Sequence, residues 1–220
     1  MAGVLADLSA DPTTPEQFYG LVHQDVSRLS KKGVMHFEIG TNPNVQQYGF
    51  GRSWKDGAAF ASWFLEIIKK LRADNENAQF GFPGLSPGED IPGWQSNHTR
   101  FLSEAEPAIA GSDWVGIHAY WVDAFGMHAS MGGRIYDSYR HRFPDKVLFI
   151  TEFNNPSTRL SSKQRAVQYH EYLQMLGDEE EIEAAFMYAL SADNEALSFT
   201  LNREGQDVDE WLDVLRSSNT

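Results

Sequence analysis

The chain has 220 residues, 41% of them hydrophobic and 13% aromatic, which is enough for a substantial core and too much for a disordered segment. Its formal charge of −13 argues against nucleic acid and anionic membrane surfaces as partners. It has no cysteine, so disulfides, thiolate metal sites and cysteine nucleophiles are excluded.

Residues 1–7 lack the basic and apolar regions of a signal peptide, and no run is long enough to cross a bilayer, so the expectation is a soluble protein. Thr14-Pro15-Glu16 opens a helix with a capping hydroxyl and a proline at the first helical position. Phe18, Leu21, Val22, Val26 and Leu29 follow at helical spacing, and Gly33 can end the helix in a left-handed conformation. Residues 34–40 predict a short buried strand, and Ala61, Phe64, Ile68 and Leu71 give the next helix its apolar face. Residues 78–82 predict a strand, Phe101, Leu102, Ala105 and Ile109 a helix, and residues 114–121 a third strand. Ile135, Tyr139 and Phe143 mark a helix before the strand at 147–151. Ala166, Tyr169, Leu173 and Leu176 mark another, the acidic residues 178–183 a solvated turn, and 182–190 the last strand. Val208, Trp211, Leu212 and Leu215 predict a closing helix.

Five strands alternating with helices indicate a parallel sheet with right-handed crossovers in one domain, residues 1–220. Periodicity alone leaves two architectures open, a doubly wound sheet and the last five strands of a (β/α)8 barrel. No Gly-rich phosphate loop and no G-x-S-x-G elbow is present, which disfavours a nucleotide-binding domain or an open α/β hydrolase. His98, His128 and His141 are scattered without ligand-like spacing, so neither a metal nor another cofactor is expected.

Three phrases close predicted strands: Phe37-Glu38-Ile39-Gly40-Thr41-Asn42-Pro43-Asn44, Gly116-Ile117-His118-Ala119-Tyr120-Trp121 and Leu148-Phe149-Ile150-Thr151-Glu152-Phe153. In this order they resemble the strand-end signatures of the retaining β/α-barrel glycoside hydrolases, the clan A-like cellulase and glycosidase superfamily. The first is similar to E-I-G-N-E-P-N, the second to G-x-H-x-Y. The resemblance implies a partial (β/α)8 barrel made of strands four to eight. It also implies Glu152 as nucleophile and Asn42 at the place of the acid/base Glu. Thr41 then replaces an Asn that bonds a sugar hydroxyl, His118 and Tyr120 line the sugar site, and Tyr120 donates to Glu152. Residues 186–190 stand where the family often carries a Trp platform.

Such an enzyme needs two carboxyl groups, one to attack the anomeric carbon and one to protonate the leaving oxygen and then activate water. Asn42 does not titrate near neutral pH and does neither. Glu38 lies four residues upstream, roughly 13 Å deeper by strand rise, and is not expected to replace it. Among rings suited to a sugar face, Tyr120 and Trp121 are favoured over Trp54 and Trp94. The expectation is a glycoside hydrolase-like protein that acts on or binds a carbohydrate, with impaired turnover. A non-catalytic carbohydrate-binding or scaffold protein is the alternative. A second copy or a complementing chain is expected to supply the missing strands.

Overall fold

The computed structural model describes residues 1–4 and 12–188. The expected closing helix and residues 189–190 of the last strand lie outside them. The elements are β1 (Ala2–Val4), α1 (Pro15–Ser30), β2 (His36–Ile39), α2 (Gly57–Asp74), β3 (Gln79–Phe82), α3 (His98–Glu104) and α4 (Glu106–Gly111). There follow β4 (Trp114–Tyr120), α5 (Ala124–Met127), α6 (Tyr136–Arg142), β5 (Val147–Asn154), α7 (Ser162–Gly177) and β6 (Ile182–Met187).

The strand order is β1-β2-β3-β4-β5-β6, and the pairings β1 with β2, β2 with β3, β3 with β4 and β5 with β6 are parallel. A doubly wound sheet reverses its order at a switch point, whereas a β/α barrel lays each strand beside the last. The unreversed order therefore selects the partial (β/α)8 barrel. It holds six strands among the described residues, not five. The extra one, β1, is only three residues long and leaves no periodicity to detect. If β2 is the fourth barrel strand, β1 is the third. The chain divides into two compact units, Met1–Gly116 and Ile117–Thr220.

In the first unit, α1 begins as its sequence dictates: the Thr14 hydroxyl accepts from Gln17 N at 3.2 Å and the Gln17 side chain accepts from Thr14 N at 2.9 Å, a capping box. Gly33, at φ +91°, turns the chain toward β2. Phe18, Val22 and Val26 face inward, but Leu21 is 64% exposed, because the buried stripe on this helix is narrower than its apolar spacing suggests. Asp56 caps α2 by accepting from Ala59 N at 2.8 Å, and Ala61, Phe64, Ile68 and Leu71 are all buried. Phe60 of α2 sits at the centre of an aromatic cluster with Trp54, Trp63, Phe64, Phe82 and Phe101, at ring separations of 4.9 to 5.9 Å. The single helix expected over Phe101 to Ile109 is broken at Ala105 into α3 and α4. Pro107 lies in the first turn of α4, where its missing N–H costs nothing but where it could not continue α3.

In the second unit, Ser161 and Gln164 form another capping box, at 3.2 and 2.9 Å, and start α7. Tyr169 and Tyr172 point into the core, with Trp121 and Phe153 stacked beside them at 6.2 Å and 6°. Leu173, expected inward, is instead exposed, and Tyr172 takes the buried position. The acidic turn after α7 is not wholly solvated: Glu179 accepts from Arg140 and, at 3.3 Å, from the Tyr136 hydroxyl.

Candidate functional site

β5 runs two residues further than Glu152, which places this side chain inside the strand's last turnless stretch rather than beyond it. Tyr120, the last residue of β4, donates its hydroxyl to Glu152 Oε2 at 2.5 Å. Two residues back along β4, on the same face, His118 brings Nδ1 to 3.5 Å from the same oxygen. His118 is 1% exposed, and burial pushes its pKa below the ordinary value of 6.5 against the opposing pull of Glu152. A neutral imidazole and a phenol thus stand around one carboxylate, which is 16% exposed. The expected association of His118, Tyr120 and Glu152 is present in the second unit.

Trp121, expected with Tyr120 as a ring for a sugar face, lines the same cavity as Tyr120. It is buried, its indole N–H donates to Gln168 Oε1 at 2.9 Å, and its ring packs on Phe153 and Tyr172. Only part of it borders open space, in a cavity of about 280 Å³ that Tyr120 also lines.

Thr41 and Asn42 lie in the first unit, on the loop after β2, and both are partly exposed. Asn42 has φ +44°, a left-handed conformation that Asn tolerates better than most residues. Its N–H donates to Gly84 O at 2.9 Å, its carbonyl accepts from Val45 N at 2.9 Å, and its Nδ2 donates to Thr41 Oγ1 at 3.3 Å. Asn44, fully buried, ties this loop to the one after β3: Nδ2 donates to Ser86 O and Ser96 O at 2.9 and 3.0 Å, and Oδ1 accepts from Ser86 N at 3.0 Å. Glu38 is buried, and its Oε1 accepts from Gly84 N at 3.0 Å. Gly116 makes room for that carboxylate, since a Cβ there would lie 2.6 Å from Glu38 Oε1.

No family model and no curated protein matches the chain. Solved structures do. An endo-β-1,3-glucanase of glycoside hydrolase family 128, subgroup II, from Sorangium cellulosum matches with a TM-score of 0.66 at 19% identity, over 90% of this chain and 76% of that one. A glucosidase from Croceicoccus marinus gives 0.63 at 15% identity, over 97% of this chain and 49% of the other. A subgroup I endo-β-1,3-glucanase variant from Amycolatopsis mediterranei, in complex with laminaritriose and laminaribiose, gives 0.58 at 16% identity, over 94% and 80%. The likeness is one of fold.

The two rings not favoured for the sugar face, Trp54 and Trp94, are placed differently from each other. Trp54 is buried and donates its indole N–H to Pro43 O at 2.7 Å, so it braces the loop that carries Asn42. Trp94 is 46% exposed on the loop after β3, with its carbonyl fixed by Gln46 N at 2.7 Å and its N–H bonded to Ile91 O at 2.9 Å. The Pro92-Gly93 turn just before it was the available signal, because such a turn sets the next side chain at a loop tip. Among the described residues, no three His, Asp or Glu side chains gather as a metal site would require. No described helix is long and apolar enough to cross a membrane.

Proposed function

We propose that this chain is a glycoside hydrolase-like protein that acts on a carbohydrate, with Glu152 as the nucleophile of a double displacement and Asn42 at the acid/base position. The observation that carries the reading is the Tyr120–Glu152 hydrogen bond beside buried His118, at the carboxyl ends of β4 and β5. A β/α barrel gathers its chemistry at that end of its strands. The fold shared with β-1,3-glucanases supports a β-glucan or related β-glycoside as the ligand class.

In the proposed reaction a Glu152 carboxylate oxygen attacks the anomeric carbon. The bond from that carbon to the aglycone oxygen breaks, and its electron pair leaves on that oxygen. Tyr120 positions the carboxylate, and the neutral state of His118 leaves its negative charge uncancelled by an imidazolium. Asn42 has no proton to give, so an alkoxide departs poorly and an aryloxide well. The same amide activates no water, so the glycosyl ester on Glu152 persists. Azide, which needs no deprotonation, releases it.

The test is intact-protein mass spectrometry after incubation with a dinitrophenyl fluoroglucoside, followed by peptide mapping. The expected result is one glycosyl adduct on Glu152, absent from Glu152→Gln and discharged by azide. A second reading, a carbohydrate-binding protein without turnover, is favoured by Asn42 itself. Absence of the adduct together with saturable binding of laminaritriose would decide for it.

A further inference from the structure

Next to Tyr120, the donor to Glu152, the second unit holds a cavity that the displacement reaction leaves unexplained. It has a volume of about 280 Å³ and lies between the loop after β4 and the loop after β5, with Tyr120, Val122, Ala129, Met131 and Pro156 among its lining. Among the described residues Tyr120 is the one lining side chain with a hydroxyl, and that hydroxyl is given to Glu152. A sugar ring brings a hydroxyl on nearly every carbon, and this lining offers those hydroxyls few side-chain partners. An apolar group loses nothing there. The pocket is open to solvent on one side, and its volume of about 280 Å³ is large enough for a substituted aryl ring.

The walls are built rather than loose. Asp123 accepts from Gly126 N at 2.7 Å and caps α5, and the buried Tyr172 hydroxyl donates to Gly133 O at 2.8 Å. A Cβ on Gly133 would come within 2.1 Å of Met127 O, so the loop is closed tightly on itself. Yet the same loop exposes Val122, Phe125 and Met131 by 61%, 86% and 59%. Scattered exposed apolar residues are ordinary, but Val122 and Met131 both line the cavity and give it an apolar edge.

We infer that this cavity takes the aryl aglycone of a β-glycoside whose anomeric carbon faces Glu152. The inference rests on the proposed function and deepens it, because the role proposed there for Asn42 points to the same class. With Asn42 in place of an acid, the groups that leave readily are those that depart as stable anions, and aryloxides are among them. The proton that completes the phenol then comes from water.

Titration by calorimetry with phenyl β-glucoside, methyl β-glucoside and phenol tests this, on the wild-type chain and on Met131→Asp. Met131 is exposed, so the substitution leaves the core intact. Phenyl β-glucoside is expected to bind about tenfold or more tighter than methyl β-glucoside, the ordinary yield of burying one apolar ring. Met131→Asp should remove that advantage and leave methyl β-glucoside binding unchanged. Equal affinity for the two glucosides overturns the inference while the proposed function stands. Binding of phenol that Met131→Asp abolishes, with no difference between either glucoside and buffer, upholds an aryl pocket and overturns the glycoside reading. No binding of any of the three overturns both.

Discussion

Removing the Asn44 side chain should loosen the loop that carries Asn42, and the size of the effect can be worked out group by group. In Asn44→Ala three hydrogen bonds disappear, two donated to Ser86 O and Ser96 O and one accepted from Ser86 N. Ser86 O keeps a partner, because Gln95 Nε2 also donates to it at 3.3 Å. Ser96 is buried, so its carbonyl bears an unsatisfied-group penalty of about 1–3 kcal/mol. Ser86 N is only partly buried and is rewetted at about 1 kcal/mol. The sum is about 2–4 kcal/mol, or a fall in Tm of roughly 4–16 °C for a chain of this size. Urea unfolding followed by tryptophan fluorescence measures it, since Trp54 braces the same loop through Pro43 O. Asn44→Asp should do no better than alanine, because it keeps the acceptor but sets a carboxylate against two carbonyls. A midpoint for Asn44→Ala within about 0.5 kcal/mol of wild type, or a wild-type midpoint for Asn44→Asp, would refute the reasoning.

Asn42→Glu should raise hydrolysis of alkyl β-glucosides by about 10²–10⁴-fold, checked by initial rates. It should also cost about 1 kcal/mol of stability, because position 42 has φ +44° and Glu tolerates the left-handed region less well than Asn. Gly116→Ala should destabilise by about 1–3 kcal/mol, since its Cβ would lie 2.6 Å from Glu38 Oε1 and 2.9 Å from Gly84 N; a wild-type urea midpoint would show that the neighbourhood yields freely. The His118 pKa is depressed in the folded state, so the unfolded chain binds more protons between the folded value and 6.5. The stability linked to His118 is therefore full above about pH 6.5 and is lost as the pH falls from there through the folded value. Urea midpoints at pH 7.5 and 5.5 should differ less in His118→Asn than in wild type, and equal differences would exclude His118 as a source.

How much of this was legible follows from how local each signal is. The start of α1 could be read because Thr14 and Pro15 act within one turn, and α2 because its apolar face repeats without interruption. The break at Ala105 does not show in the apolar spacing, which runs straight through the gap, and Pro107 is its one local mark. β1 has too few residues to show a period, and strand order comes from pairing rather than from any one segment. At the site, the phrase around Tyr120 and the one around Glu152 announced their contact, while the fates of the tryptophans did not show. Trp54 and Trp94 stand outside the strand-end phrases, and tertiary packing alone decides that one is buried and the other exposed.

The residue after Asn42 has a consequence for any preparation of this protein. Asparagine normally drifts to aspartate when the next backbone nitrogen closes onto the side-chain amide to form a succinimide. At position 42 that nitrogen belongs to Pro43, which has no N–H to lose. Ageing therefore has no ready route to a carboxylate at this position. Slow hydrolysis seen in a stored sample could not be ascribed to a deamidated fraction, and the chain's chemistry at position 42 stays as its gene wrote it.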